Sequence, residues 1–159
     1  MKNNALAPFP LCLCLAAVLA LATTAAAQTA APKARVFKAG AATSNITPAI
    51  GAGIVGGFTT PPSTHIHDEL HARCLALDDG TTRLAFAVVD SVSVNREVFD
   101  EAKRLITAAT GLPAGQMMMS ATHTHSASSA RGASPFVLGN PLDEYQRFLA
   151  RRIADGVRR

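Results

Sequence analysis

Ser120-Ala121-Thr122-His123-Thr124-His125-Ser126 follows an apolar run at residues 117–119 and sets two histidines two residues apart at the end of an expected strand. Side chains on an extended strand alternate faces, so both imidazoles would address one metal ion or one polar substrate group. Thr122 and Thr124 would face the other way. The plainer reading is two polar residues ending a strand, one hydrogen-bonded and one wet. Asp90, at the end of the apolar run 84–89, either orients the His123 imidazole or caps the helix that follows. His65 and His67 repeat the same spacing, and His67-Asp68 could form a carboxylate-supported ligand.

Positioning these residues requires a particular order of elements. Residues 36–41 read as a first strand, followed by Ser44-Asn45-Ile46-Thr47-Pro48 and the glycine-rich run Gly51, Gly53, Gly56, Gly57, which predicts a loop. Such glycines can cradle phosphate, but no Lys-Ser or Lys-Thr follows and no helix clearly starts there, which speaks against a nucleotide site. Residues 70–77 and 83–89 are apolar and separated by Asp78-Asp79-Gly80, a hairpin signal. The nearly continuous run 84–89 has the pattern of a strand buried on both faces.

From Asn95 the period changes. Val98, Ala102, Leu105, Ile106 and Ala109 recur at helical spacing, Ser93 or Asn95 can cap the start, and Gly111 with Pro113 stops the helix. Residues 116–122 return to a strand. Strand, helix and strand at this spacing predict a right-handed parallel crossover, with Asp90 and the histidines at the carboxyl ends of neighbouring strands, the edge that ligand sites favour in α/β sheets. A second helix with Leu142, Tyr145, Phe148, Leu149 and Ile153 on one face begins after Asn140-Pro141. The fold class expected is α/β: a mixed sheet with a parallel βαβ crossover and flanking helices, in an incomplete domain.

Lys2, the apolar run 11–21 and Ala25-Ala26-Ala27 before Gln28 predict a signal peptide over residues 1–27 and an exported protein, periplasmic or secreted. The apolar core is shorter than the roughly twenty residues a membrane span needs; a retained anchor is the alternative. Cys12 and Cys14 fall inside the leader, leaving Cys74 alone, so no internal disulfide is expected and Cys74 reads as a small core residue. The net charge of +4 comes with scattered basic residues. The densest group, Arg147, Arg151, Arg152, Arg158 and Arg159, stands beside Asp143, Glu144 and Asp155 without aromatic residues between, so it reads as a solvated helix face and no nucleic-acid partner is expected.

Gly40-Ala41-Ala42-Thr43-Ser44-Asn45-Ile46-Thr47-Pro48, then Ile66-His67-Asp68-Glu69-Leu70-His71-Ala72-Arg73-Cys74-Leu75-Ala76-Leu77-Asp78-Asp79-Gly80, then Val88-Val89-Asp90, then the histidine block, resemble in that order the start of the catalytic domain of the neutral/alkaline non-lysosomal ceramidase family. The resemblance covers almost all of residues 28–159, the expected N-terminal portion of such a domain. It implies a zinc-dependent amidase that hydrolyses the N-acyl bond of ceramide to fatty acid and sphingoid base, with a lipid amide as substrate and transient contact with a membrane surface. It makes His123 a Zn2+ ligand and sets His125 close to the substrate amide. It gives His65 and His67 no metal, and they read as structural or exposed.

The family's other zinc ligands, a histidine, a glutamate and a tyrosine, and its active-site serine come from further along than this sequence reaches. Where the family continues Ser-Gly-Pro, this chain has Ser126-Ala127-Ser128-Ser129-Ala130, so the turn beyond the histidines is expected to differ. The chain alone is expected to be inactive. The competing expectation is an exported non-catalytic or truncated family member that binds metal or lipid without turnover.

Overall fold

Asp78, Asp79 and Gly80 make the sharpest local decision in the chain. The computed structural model, which describes residues 35–131 and 139–159, reverses direction there. Gly80 takes a φ of 85°, Asp78 Oδ1 accepts the Gly80 N–H at 2.7 Å, and Asp79 Oδ1 accepts those of Thr81 and Thr82 at 2.8 and 2.7 Å. The same amide donors hold the Asp79 carboxyl below its ordinary range. Strands β1 (Lys38–Asn45), β2 (His71–Asp78) and β3 (Arg83–Val89) pair antiparallel in sequence order. The expected leader, residues 1–27, lies outside the described residues.

The first strand runs four residues further than its apolar pattern suggests, to Asn45. Gly40, Ala41 and Ala42 are poor strand formers by propensity, yet each pairs with a β2 residue, Ala42 opposite Cys74. Partnering across the sheet therefore decides the strand's extent.

Helix α1 (Arg96–Thr110) buries Val98, Ala102 and Ile106, and ends at Gly111, whose φ of 70° lets its N–H reach Thr107 O at 2.9 Å. Asn95 occupies the N-cap position, but its side chain donates to Arg131 O at 3.0 Å instead of capping. A 3-10 turn, Ala114–Gln116, leads into β4 (Met117–Ala121), which pairs parallel with β3. The strand order is β1-β2-β3-β4, and the parallel crossover forms as its periodicities predict. Helix α2 (Glu144–Arg158) starts with a capping box: Asp143 accepts the Gln146 N–H at 2.8 Å, and Gln146 accepts the Asp143 N–H at 2.9 Å.

Both helices pack on the same face of the sheet. Ala72, Cys74, Ala87 and Val89 meet Val98, Ala102, Leu149 and Ile153 in one cluster, and Ala85 and Met117 meet Ile106 and Leu112 in another. Gly156 lets α2 approach closely, because a Cβ there would stand 2.7 Å from Cys74 Sγ. Cys74 is buried, as expected, and burial pushes its thiol up to about 11, so little thiolate exists at neutral pH.

The opposite face corrects the expectation for residues 84–89. Although β3 is paired along both edges, Leu84 and Val88 are each 39 % exposed, and Met118 next to them is 61 % exposed. A continuous apolar run here reflects a central strand, and the described residues cover only one of its faces. The arginine-rich helix also does more than face water. Arg152 Nε donates to Asn45 O at 2.9 Å and Arg159 Nη1 to Thr43 O at 3.4 Å, so two guanidiniums occupy carbonyls along the free edge of β1.

Candidate functional site

The carboxyl ends of β3 and β4 do not release the chain at once. Thr122 N–H donates to Val89 O at 2.9 Å and His123 N–H to Ser91 O at 3.0 Å, which carries the parallel pairing two residues past Ala121. There the backbone turns. His123 takes a φ of 62°, the only non-glycine residue with positive φ among the described residues. Left-handed backbone at a non-glycine residue costs on the order of 1–3 kcal/mol and persists only where surrounding contacts impose it.

Those contacts are visible. The His123 ring sets Nδ1 2.7 Å from Val92 O. A carbonyl can only accept, so Nδ1 carries the hydrogen in that bond and Nε2 is left as the lone-pair nitrogen of the neutral ring. Ser91, fully buried, supports the same loop: its hydroxyl lies 2.8 Å from Ser93 O and 3.3 Å from Ser128 O, a donor shared between two carbonyls.

His125 comes to the same place by another route. Its ring centroid lies 4.9 Å from that of His123, the two planes at 72° in an edge-to-face contact. The expected juxtaposition therefore occurs, but strand alternation is not its cause, since β4 ends before either histidine. The glycine-rich loop supplies the second constraint. Val55 N–H donates to Ala127 O at 3.0 Å, and Gly56, at a φ of 137°, lies so close that a Cβ would stand 2.6 Å from both Cβ and Cγ of His125. Only glycine fits there.

Asp90 is turned toward β2. Its Oδ2 accepts the His71 N–H at 3.0 Å, and Arg73 Nη1 lies 2.7 Å from both carboxylate oxygens. A guanidinium and a backbone donor satisfy this carboxylate more strongly than a neutral imidazole would. The bond that orients His123 is made by the Val92 carbonyl, and the N-cap of α1 is Asn95. His65 and His67 bond their own sequence neighbours. His67 bonds its sequence neighbour Asp68 at 2.7 Å, with both side chains close to nine-tenths exposed; His65 bonds its own neighbour Thr64 at 3.2 Å.

Two clefts flank the histidine segment. One, of about 540 Å³, is lined by Ile54, Pro62, Ile66, Leu70 and Ser126. The other, of about 760 Å³, is polar, with His71, Arg73, Asp90 and Thr124 on its walls. Ser91, Val92 and Gly56 escaped sequence reasoning. No motif marks the first two beyond their place directly after β3, and Gly56 was one glycine among four until its partner was known.

Among the described residues no group of three or more His, Cys, Asp or Glu side chains is placed to hold a metal ion. The site offers a pair of imidazoles, one with its Nε2 freed by a backbone carbonyl. That donor set fits part of a zinc shell, which takes about four ligands.

No family model and no curated protein matches the sequence. Solved structures do match in fold. Neutral ceramidase from Pseudomonas aeruginosa aligns with a TM-score of 0.57 and 23 % identity over 78 % of this chain and 20 % of that one. A ceramidase complexed with C2 aligns with a TM-score of 0.55 and 21 % identity over 79 % of this chain and 20 % of that one. At these identities the likeness is one of fold, and the chain spans about a fifth of the length of either structure.

Proposed function

We propose that this segment is the leading part of a zinc-dependent amidase of the neutral ceramidase type, cleaving the N-acyl bond of a ceramide-like lipid in an exported protein. The observation that carries the reading is the treatment of His123: a strained backbone and a 2.7 Å bond to Val92 O together commit its Nε2 outward beside His125. Backbone-oriented imidazoles of this kind are how proteins fix the tautomer of a metal ligand. The ceramidase-like fold supports the same assignment.

In this reading His123 Nε2 would hold the zinc ion and further ligands would complete its shell. Zinc, when bound, supplies a Lewis-acidic centre that makes water a nucleophile near neutral pH. His125, kept against its neighbour by Gly56, would take up the proton released by the attacking water and pass it to the nitrogen of the departing amine. Asp90 and Arg73 hold the wall of the polar cleft by tying β3 to β2.

The test separates the two imidazoles in a longer protein that carries this segment. His123→Ala should lower zinc content and turnover together, whereas His125→Ala should lower turnover by roughly 10²-fold or more with zinc near stoichiometric. Equal zinc loss in both variants would make both residues ligands and remove the proton-transfer role from His125. The 159-residue chain by itself should turn over a fluorogenic ceramide no faster than its own His123→Ala variant.

A further inference from the structure

The sequence contains no Asn-Gly and two Asp-Gly pairs, Asp79-Gly80 and Asp155-Gly156. At such a pair the main chain can rearrange by itself, because glycine has no side chain to obstruct its nitrogen as it approaches the aspartate Cγ. The glycine nitrogen bonds to Cγ and loses its hydrogen, one carboxyl oxygen leaves as water, and a five-membered succinimide results. Water then opens the ring. Addition at Cγ restores aspartate. Addition at the main-chain carbonyl carbon breaks the original peptide bond and leaves isoaspartate, whose chain runs through Cβ and Cγ with the α-carboxylate free.

The two pairs stand in opposite settings. Gly156 is buried within α2, so close to Cys74 that a Cβ would stand 2.7 Å from its Sγ. Regular helical backbone keeps the Gly156 nitrogen away from the Asp155 Cγ, and ring closure would have to break that packing. Asp79-Gly80 lies at an exposed reversal, with Gly80 at a φ of 85° and nothing within 4 Å of the place a Cβ would take. Local bonds alone restrain it, and short exposed segments of this kind open most easily.

Those bonds act on both reacting groups. The Gly80 N–H donates to Asp78 Oδ1 at 2.7 Å, which fixes the plane of the amide that would attack. Asp79 Oδ1 accepts the N–H groups of Thr82 and Thr81 at 2.7 and 2.8 Å, which turns the carboxyl toward the threonines. The same donors favour its ionised form, and a carboxylate cannot release an oxygen as water.

We propose that Asp79-Gly80 is the site of aspartate isomerisation in this chain, and that the Asp78 carboxylate slows the reaction by holding the Gly80 amide. The pair sits on the hairpin that joins β2 to β3, where Asp78 stands opposite Arg83. One added main-chain carbon lengthens that connection and displaces the pairing beside it. The inference is independent of the amidase reading.

The test ages the 159-residue chain at neutral pH and locates isoaspartate by peptide mapping with electron-transfer fragmentation. In buffer it should accumulate at Asp79 and not at Asp155, whereas in urea both positions should form it at similar rates. Asp78→Ala should raise the rate at Asp79 by roughly twofold to tenfold, the factor that the net worth of one hydrogen bond spans, and leave Asp155 unchanged. Asp78→Asn keeps an acceptor oxygen and should behave like the unsubstituted chain. Isoaspartate appearing equally at Asp79 and Asp155 in buffer would overturn the assignment of the site. An unchanged rate in Asp78→Ala, or a rise shared equally by Asp155, would remove the role of Asp78. A slower rate in that variant would reverse the role, making Asp78 the base that takes the Gly80 hydrogen.

Discussion

Two pairs of histidines share one spacing in this chain and have little else in common. His65 and His67 each bond the residue next to them in sequence, Thr64 and Asp68, and stand in solvent. His123 and His125 are held by residues far away in sequence: Ser91 and Val92 on one side, Gly56 on the other. The first pair sits on the loop that enters β2, and among the described residues its side-chain bonds reach only sequence neighbours. The second follows two parallel strands whose pairing continues two residues beyond the sheet, so its backbone is dictated by β3. Spacing proposes a site, and only long-range restraint on the backbone can make one.

The comparison breaks most readily at Gly56. Ala there would place a methyl group 2.6 Å from two His125 carbons at a φ of 137° that side chains avoid. Strain and overlap together should cost about 2–4 kcal/mol, read as a lower thermal midpoint together with a displaced His125 ring signal in NMR spectra. Gly57→Ala is the matched control, since its nearest neighbour would be an ordinary 3.6 Å away. Equal losses at the two positions would mean that the loop tolerates neither change for reasons unrelated to His125.

Ser91→Ala is the next largest. It removes the buried hydroxyl hydrogen-bonded to Ser93 O and leaves the Ser128 carbonyl without that donor, at a cost of about 1–2 kcal/mol. A purely structural serine would stop at that loss. If it also fixes the loop that presents Val92 O, the nitrogen-15 spectrum of His123 should change from a single Nδ1–H tautomer to a mixture. An unaltered tautomer would show that Val92 is positioned without Ser91.

The sheet, the crossover and both helices were legible because each rests on a local or periodic signal: the Asp-Asp-Gly reversal, the apolar run of β3, the helical recurrence of Val98, Ala102 and Ile106, and the turn residues around them. The site was legible only in its residue types. His123 and His125 could be named from sequence, but their geometry depends on a positive φ and a carbonyl from the neighbouring loop, and no residue code marks either. Asp90 shows the converse. A carboxylate at a strand end is easy to find, yet which partner it takes depends on Arg73, seventeen positions away and adjacent only after β2 and β3 pair. The open sheet face was not legible for a related reason, since apolar periodicity records what a strand can bury and says nothing of how many layers cover it.

The smallest effect should come from the other histidine pair, and it sharpens the contrast. The His67–Asp68 contact is short, at 2.7 Å, but its side chains are 87 and 88 % exposed. Water competes for both groups, and holding two mobile side chains together costs entropy, so surface pairs of this kind contribute about 0–1 kcal/mol. His67→Ala should therefore shift stability by no more than about 0.5 kcal/mol and leave the His123 and His125 ring signals where they were. In the zinc amidase proposed above, carried by a longer protein, its zinc content should equal that of the unsubstituted protein. His67 does line both clefts, and this gives the experiment its edge: loss of zinc or a displaced His123 signal in His67→Ala would join the two pairs into one site, with the 63–71 segment as a working wall of it.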